Sequence, residues 1–470
     1  MGKAFIQEST LEDLADAIRA RNGKDNETYL PSEMAAAIGN IPQNPALDII
    51  EDGVNFYDYD GTLLYCYSWE EVMAQDNNNN YTWQLPPLPC RSSEHLVCDG
   101  WNNTAATIRD YYSKFGRWHL SVGCTYHTDD NVTYIWLDVI EGQSTTRSLR
   151  IKSTVANAVQ IDWGDGSSAD TIDSTSATTI THVYPEPHLR DTYLVQIRCT
   201  SGTYTTSGRL CSGSDNTANS ASRITKILFS NKLTAIGQYV FAGLSKLEKI
   251  SLPSLLSGSV SCVFLGCASL KHITCPPNWR YIDQSFYNCS SLRTISYNIG
   301  YDNPNLHWQY ANSRLQYINA RYGSVQAYAF FGTKIKRYKV CKNPDDNSAI
   351  SLLTNSFKNC TELYHLDLGE YIASIDSSAI EGCTSLIELT IPEKVTSIGG
   401  SALAGNTSLK RLYMKPEVPP TITATTLNNL PSDCKIYVPY LYYSDYAVAN
   451  EWSNYVNQLY KYDFENNQEV

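Results

Sequence analysis

From about residue 220 onward the apolar positions recur in one frame. Leucine or isoleucine stands at 224, 247, 270, 292, 315, 335, 363, 386 and 409, with steps by subtraction of 23, 23, 22, 23, 20, 28, 23 and 23, and another apolar residue follows three places later. A period in this range predicts one short strand per unit, stacked on the next over a shared core. Inside each unit the two anchors point inward. Strand alternation therefore turns their polar neighbours outward, from Lys249 and Ser251, through His272 and Thr274, Thr294 and Ser296, Tyr317 and Asn319, Arg337 and Lys339, His365 and Asp367, and Glu388 and Thr390, to Arg411 and Tyr413. Ahead of several anchors an aromatic or aliphatic residue is followed by cysteine: Phe264 with Cys267, Phe286 with Cys289, Phe357 with Cys360, Ile380 with Cys383. One phase for four cysteines predicts a buried ladder of reduced thiols.

Upstream the period changes. Between 146 and 212 the stretches SLRIKST, AVQIDWGDGSS, THVYPEP and YLVQIRCTSG alternate apolar and polar residues around a Gly-Asp-Gly turn, which predicts a β-sandwich. Asp162 and Asp165 read as hairpin-turn residues, because the glycine spacing does not fit a calcium loop. Residues 45–145 mix helix and strand signals with long connections, an α+β domain. Residues 1–44 carry two short amphipathic helices, one with Leu11, Leu14, Ala15 and Ile18 on a face, the other with Met34, Ala37, Ile38 and Ile41. The expected architecture is multidomain and mainly β: helical hairpin, α+β domain, immunoglobulin-type sandwich at 146–212, leucine-rich repeat solenoid at 220–435, and a cap at 436–470.

Composition narrows the function. A net charge of -12 disfavours nucleic acid, which is bound by neutralising phosphates. No apolar run is long enough to span a bilayer, and the first residues, MGKAFIQEST, lack the basic and apolar regions of a secretory signal, so synthesis without that export route is expected. Fourteen cysteines in 470 residues, without a C-x-x-C pair, suggest neither a disulfide framework nor zinc. The 34 tyrosines against 11 phenylalanines favour a ring that is both apolar and hydrogen-bonding, as recognition surfaces do.

Candidate chemistry is sparse. Residues 58–62, DYDGT, resemble the nucleophile motif of haloacid dehalogenase-type phosphotransferases, with Asp58 and Asp60 as nucleophile and acid. That reaction also needs Mg²⁺ and further βα units carrying a lysine and an acidic pair. A sandwich and a solenoid do not supply them, so a hairpin with Asp60 and Gly61 in its turn is expected. H-E-x-x-H, G-x-S-x-G and phosphate-loop motifs are absent. Neither an enzyme, a metal nor a cofactor is expected. The candidate binding residues are aromatic: Tyr301, Trp308, Tyr310, Tyr317 and Tyr322, with Arg337 and His365 on the same outward face.

Three resemblances bear on identity. The LADAIR and PSEMA helices resemble the N-terminal segment of phage tail and tail-fibre-like proteins of gut bacteria. Asp162-Trp163-Gly164-Asp165-Gly166, then Thr181-His182-Val183-Tyr184 and Tyr193, resemble the WDFGDG, HxY and YxV elements of PKD-like immunoglobulin-fold domains. FLGCASLKHI, FYNCSSLRTI and AIEGCTSLIELTIPEKVTSIG resemble BspA-like leucine-rich repeats, found in gut bacterial surface proteins and their phages. Together they imply a non-enzymatic virion protein of a phage tail, made in the bacterial cytoplasm. It would attach to other tail proteins through its N-terminal segment and contact a bacterial surface glycan or protein through its repeats, without inserting in a membrane, as a monomer or a homo-oligomer. The alternatives are a BspA-like bacterial surface adhesin and a cell-wall glycan hydrolase.

Overall fold

The computed structural model describes residues 48–78, 80–139, 145–185, 192–211, 223–256, 258–283, 285–298, 310–319, 321–341 and 349–470. The helices expected within 1–44, and with them Tyr301 and Trp308, lie outside this set.

The first described domain is a four-stranded sheet. β1 (Gly53–Tyr57) and β2 (Leu63–Ser68) form a hairpin whose turn is the D-Y-D-G-T stretch, closed by Gly61 N–H donating to the Asp58 carbonyl at 3.0 Å. Gly61 sits at φ +87°, where a side chain is strained, and a Cβ there would also meet His272 Cβ at 2.7 Å. Helix α1 (Trp69–Val72) starts with Ser68 and Glu71 in a capping box. After β3 (Leu96–Trp101) comes helix α2 (Ala105–Phe115), capped by Thr104 and stopped by Gly116. β4 (Leu120–Thr128) then enters the sheet parallel to β1 and antiparallel to β3. No described helix is long and apolar enough to cross a membrane.

β5 (Val132–Asp138) was expected to end this mixed domain. It instead pairs antiparallel with β10 (Thr192–Cys199), so the hydrogen-bonded boundary falls at the turn before Val132 and not at 145. A partner some sixty residues downstream leaves no mark on the local alternation. With β7 (Val159–Asp162) and β8 (Asp170–Ile172), these strands form one sheet in the order β5-β10-β7-β8. β6 (Thr146–Ser153), β9 (Thr178–Val183) and β11 (Tyr204–Cys211) form another. Both sheets share a core that includes Ile151, Trp163, Tyr184, Tyr193 and Ile197. Asp162 and Asp165 are turn residues: their carboxylates accept from Gly164 N and Ser167 N, and His182 Nε2 contacts Asp165 at 2.8 Å while its ring stacks on Trp163.

The sandwich runs directly into the solenoid. β12 (Ile224–Leu228) pairs antiparallel with β5 on one side, at Ile227 with Ile135, and parallel with Lys249–Ser251 on the other, at Ile227 with Ile250. Further rungs follow at His272–Thr274, Thr294–Ser296, Arg337–Cys341, His365–Asp367, Glu388–Ile391 and Arg411–Met414. All nine sequence anchors, Ile224 to Leu409, have 0% exposure. Behind them Phe241, Phe264, Phe286, Tyr310, Phe330 and Phe357 stack ring on ring at 5.1–5.9 Å. The thiols have a defined task. Cys267, Cys289, Cys360 and Cys383 donate to the carbonyls of Phe241, Phe264, Phe330 and Phe357, each in the preceding unit.

The C-terminal cap is built from several short elements. After Lys435–Pro439, the cap expected at 436–470 contains a short helix at Tyr443–Val448 and a tighter turn at Trp452–Gln458. Trp452 is buried and its Nε1 donates to the Pro420 carbonyl. Two more strands follow, Leu459–Asp463 in parallel and Gln468–Glu469 in antiparallel.

Candidate recognition surface

The outward face of the ladder is where repeat proteins of this kind have side chains to offer. In this chain much of it is already occupied by the sheet of residues 53–128. β4 lies against the ladder so closely that a Cβ on Gly123 would fall 2.1 Å from Thr274 Oγ1 and 2.9 Å from Ser296 Cβ. Tyr57 packs on His272 at 5.5 Å, and His119 stacks on Tyr317 at 4.9 Å. Asn319 spans the seam in both directions: Ser121 N donates to its Oδ1 at 2.8 Å, and its Nδ2 donates to the Ser121 carbonyl. Asn102 and Asn103 donate to the carbonyls of Cys275 and Tyr297.

Charge closes the margins of this seam. Lys226 pairs with Glu94 at 2.6 Å and Lys249 with Asp60 at 3.3 Å, while Arg337 pairs with Asp52 and sits over the Trp118 ring at 4.7 Å. Glu51 accepts from the hydroxyls of Tyr317 and Tyr364. Burial alone would raise the Glu51 carboxyl, but those two hydroxyls and the nearby Lys336 and Arg337 hold it below its ordinary value. Asp60 and Glu94 are likewise held low against their burial, Asp60 by Thr62, Arg91 and Lys249, Glu94 by Lys226, Tyr59 and Arg91. Asp58 is 0% exposed and bound by Arg91 Nη2 at 2.5 Å. The motif that resembled a phosphatase nucleophile thus forms part of the clasp holding the sheet to the ladder.

This arrangement relocates the expected binding residues. Tyr310 is fully buried as one ring of the aromatic spine, because YANSRL repeats FYNCSSL and puts Tyr310 in the phenylalanine slot and Ser313 in the cysteine slot. Tyr317 is 6% exposed under His119. Tyr322 is half-buried against Phe115, at 5.0 Å. Arg337 is engaged by Asp52 and Trp118; His365 is exposed at the edge of the seam, 6.1 Å from the Trp118 ring. These residues do not form one open patch.

The open part of the ladder lies beyond them. Glu388, Thr390 and Arg411 are exposed, and Tyr413, Lys435 and Tyr460 partly so. Strand register puts Tyr413, Tyr437 and Tyr460 in one row. Tyr413 and Tyr437 stack at 4.9 Å, Tyr462 packs on both at 5.3 and 5.1 Å, and Phe464 closes the cluster 4.9 Å from Tyr462. Arg411 with Glu388, and Lys435 with Glu469, flank it as ion pairs of 2.9 and 3.0 Å. The Lys435 ammonium also lies 4.4 Å from the Tyr460 ring centroid. Hydrogen-bonded rungs hold the aromatic groups in place, and the paired charges keep the border polar, which suits contact with a sugar or a peptide. Among the described residues no group of three or more His, Cys, Asp or Glu is arranged to hold a metal. Sequence reasoning placed Tyr413 on the outward face but missed its continuation through Tyr437 and Tyr460, although Tyr460, Tyr462 and Phe464 alternate at a strand period.

Comparison with known proteins agrees with the repeat geometry. Residues 214–336 and 323–439 match the BspA type leucine rich repeat region, in six copies. The repeats are of the BspA type. Solved structures similar to the chain include a leucine-rich repeat protein from Bacteroides ovatus ATCC 8483 (20% identity, TM-score 0.34, 50% of this chain and 63% of that one) and the pneumococcal vaccine antigen PcpA (15%, 0.29, 50% and 65%). A leucine rich cell surface protein from Faecalibacterium prausnitzii A2-165 is also similar (14%, 0.28, 55% and 86%). The matched region thus spans just under two thirds of the first two proteins. None of the curated proteins matches the chain.

Proposed function

We propose that this chain is a surface adhesin of the BspA type, which recognises a glycan or protein by contact and without turnover. The observation that carries the reading is the aromatic row on the open rungs of a BspA-type array, in which Tyr413 and Tyr460 are partly exposed on either side of the buried Tyr437. Neither the repeats nor the comparisons support the virion role expected from the N-terminal helices, whose residues lie outside the described set. The adhesin, held above as the alternative, is the better supported reading.

The test is saturable binding of the labelled full chain to bacterial and epithelial cells, compared with a folded Tyr413→Ala, Tyr460→Ala double variant. Loss of binding in the variant supports the reading. Equal binding by both, or release of reducing sugar from purified cell walls, overturns it.

A further inference from the structure

Two thiols outside the solenoid face each other across β3 and β4. Cys98 Sγ lies 3.4 Å from Cys124 Sγ. The strands are antiparallel neighbours, with Cys98 opposite Tyr126 and Trp101 opposite Cys124, and a bulge falls between Cys98 and Gly100. Cys124 is fully buried with Tyr59, Leu96, Tyr126 and Leu228, and the half-buried Cys98 packs against the same cluster. The repeat thiols are placed differently: Cys360 and Cys383 also interact, but both are sealed in the core and each already donates to a carbonyl.

We propose that Cys98 and Cys124 are a redox-active pair that closes to a disulfide when the chain meets a disulfide oxidant. The sulfurs must approach from 3.4 Å to a bond of about 2.05 Å, a movement that side-chain rotation beside a bulge supplies. Cys98, the more accessible of the two, attacks one sulfur of the oxidant as its thiolate, giving a mixed disulfide and releasing one thiol, which takes up the proton. Cys124 then loses its proton and attacks Cys98 Sγ, expelling the second thiol. Two electrons pass from the pair to the oxidant, which leaves as two thiols. The environment supports this order: the contact with Cys124 holds the Cys98 thiol below its ordinary value, while burial pushes Cys124 up. The product would join β3 to β4 in the sheet that covers the ladder.

The test uses the full chain, reduced, then incubated with oxidised glutathione, alkylated and digested without reductant. Expected are the loss of two hydrogens from the intact mass and a linked pair of peptides carrying Cys98 and Cys124. Dithiothreitol should separate them, and Cys98→Ser should prevent the link. Because the peptide map is read on the unaltered chain, poor folding of the variant does not obscure the answer. Alkylation of both cysteines after oxidant treatment overturns the proposal. So does linkage of another pair, such as the exposed Cys90 with Cys66, while Cys98 and Cys124 remain free.

Discussion

Trp118, two residues before the covering strand, lies under the guanidinium of Arg337, 4.7 Å from ring centroid to Cζ, and Asp52 holds the same guanidinium from its side. One residue of the ladder is thus gripped by two residues of a domain more than two hundred positions away. Arg337→Ala should loosen that margin by about 1–2 kcal/mol, the sum expected of a partly shielded cation–π contact and an ion pair. Hydrogen exchange should quicken at Leu120–Ser121 and leave the rungs beyond Glu388 unchanged. Uniform exchange across the chain would show that the seam does not depend on this contact.

The seam should weaken in acid. Burial lowers His119 to about 4 and His272 to about 3, against an ordinary value of 6.5. A histidine lowered on folding stabilises the fold above its unfolded value, and that stability is lost as pH falls from about 6.5 toward the folded value. His119 contributes on the order of 3 kcal/mol, fully lost only near pH 4, and His272 on the order of 5 kcal/mol, fully lost only near pH 3. Glu51, Asp60 and Glu94, also held low, act in the same direction below about 4.5. The urea midpoint should fall between pH 7 and 4.5, and His119→Gln should flatten the upper part of that slope. A midpoint independent of pH would contradict the burial of both rings.

A buried thiol should count through its hydrogen bond. Cys383 Sγ donates to the Phe357 carbonyl at 3.2 Å, and Cys383→Ala leaves that acceptor without this donor and a small void beside it. A loss of about 1–3 kcal/mol is expected by chemical denaturation. Cys383→Ser should cost less, since a hydroxyl still donates and Ser313 already fills the equivalent slot of another repeat. The reverse ranking would show that volume, not donation, governs the position.

Binding and stability should respond in different proportion at two tyrosines. Tyr413→Ala on the open row should weaken ligand binding by roughly 10- to 30-fold, as a contact worth about 1.4–2 kcal/mol would, and should cost about 1–2 kcal/mol of stability through its lost packing on Tyr437 and Tyr462. Tyr310→Ala removes a ring from the spine and should cost about 3–5 kcal/mol of stability. A Tyr310→Phe control, isosteric with its stacked neighbours, should leave binding intact.

How much of this was legible depended on distance along the chain. The anchors at Ile224 to Leu409 announced themselves because a solenoid writes its contacts locally, one unit to the next. The hairpin at Asp60 and Gly61 was readable for the same reason. The covering sheet was not, because Ser121 meets Asn319 and Tyr57 meets His272 across hundreds of residues. One signal was present in the outward positions themselves. His272, Thr274, Thr294, Ser296 and Asn319 are uncharged or neutral in the fold, where Glu388 and Arg411 farther along are charged. A run of small polar groups on a face expected to meet water marks a surface that meets protein. Tyr310 was misread for a local reason, since Y-A-N-S departs from F-Y-N-C at its most recognisable letter.

The join of β5 to β12 bears on how such an array changes length over generations. Its first rung is hydrogen-bonded to the sandwich, and its final described strand, Gln468–Glu469, is short and antiparallel. Neither end offers a long parallel edge on which another unit could be added. An added repeat is therefore accommodated most simply between two existing rungs. Insertion after Leu409 would lengthen the open rungs without disturbing the clasped ones, so a lineage could enlarge or reshape its contact surface while inheriting the covered half unaltered.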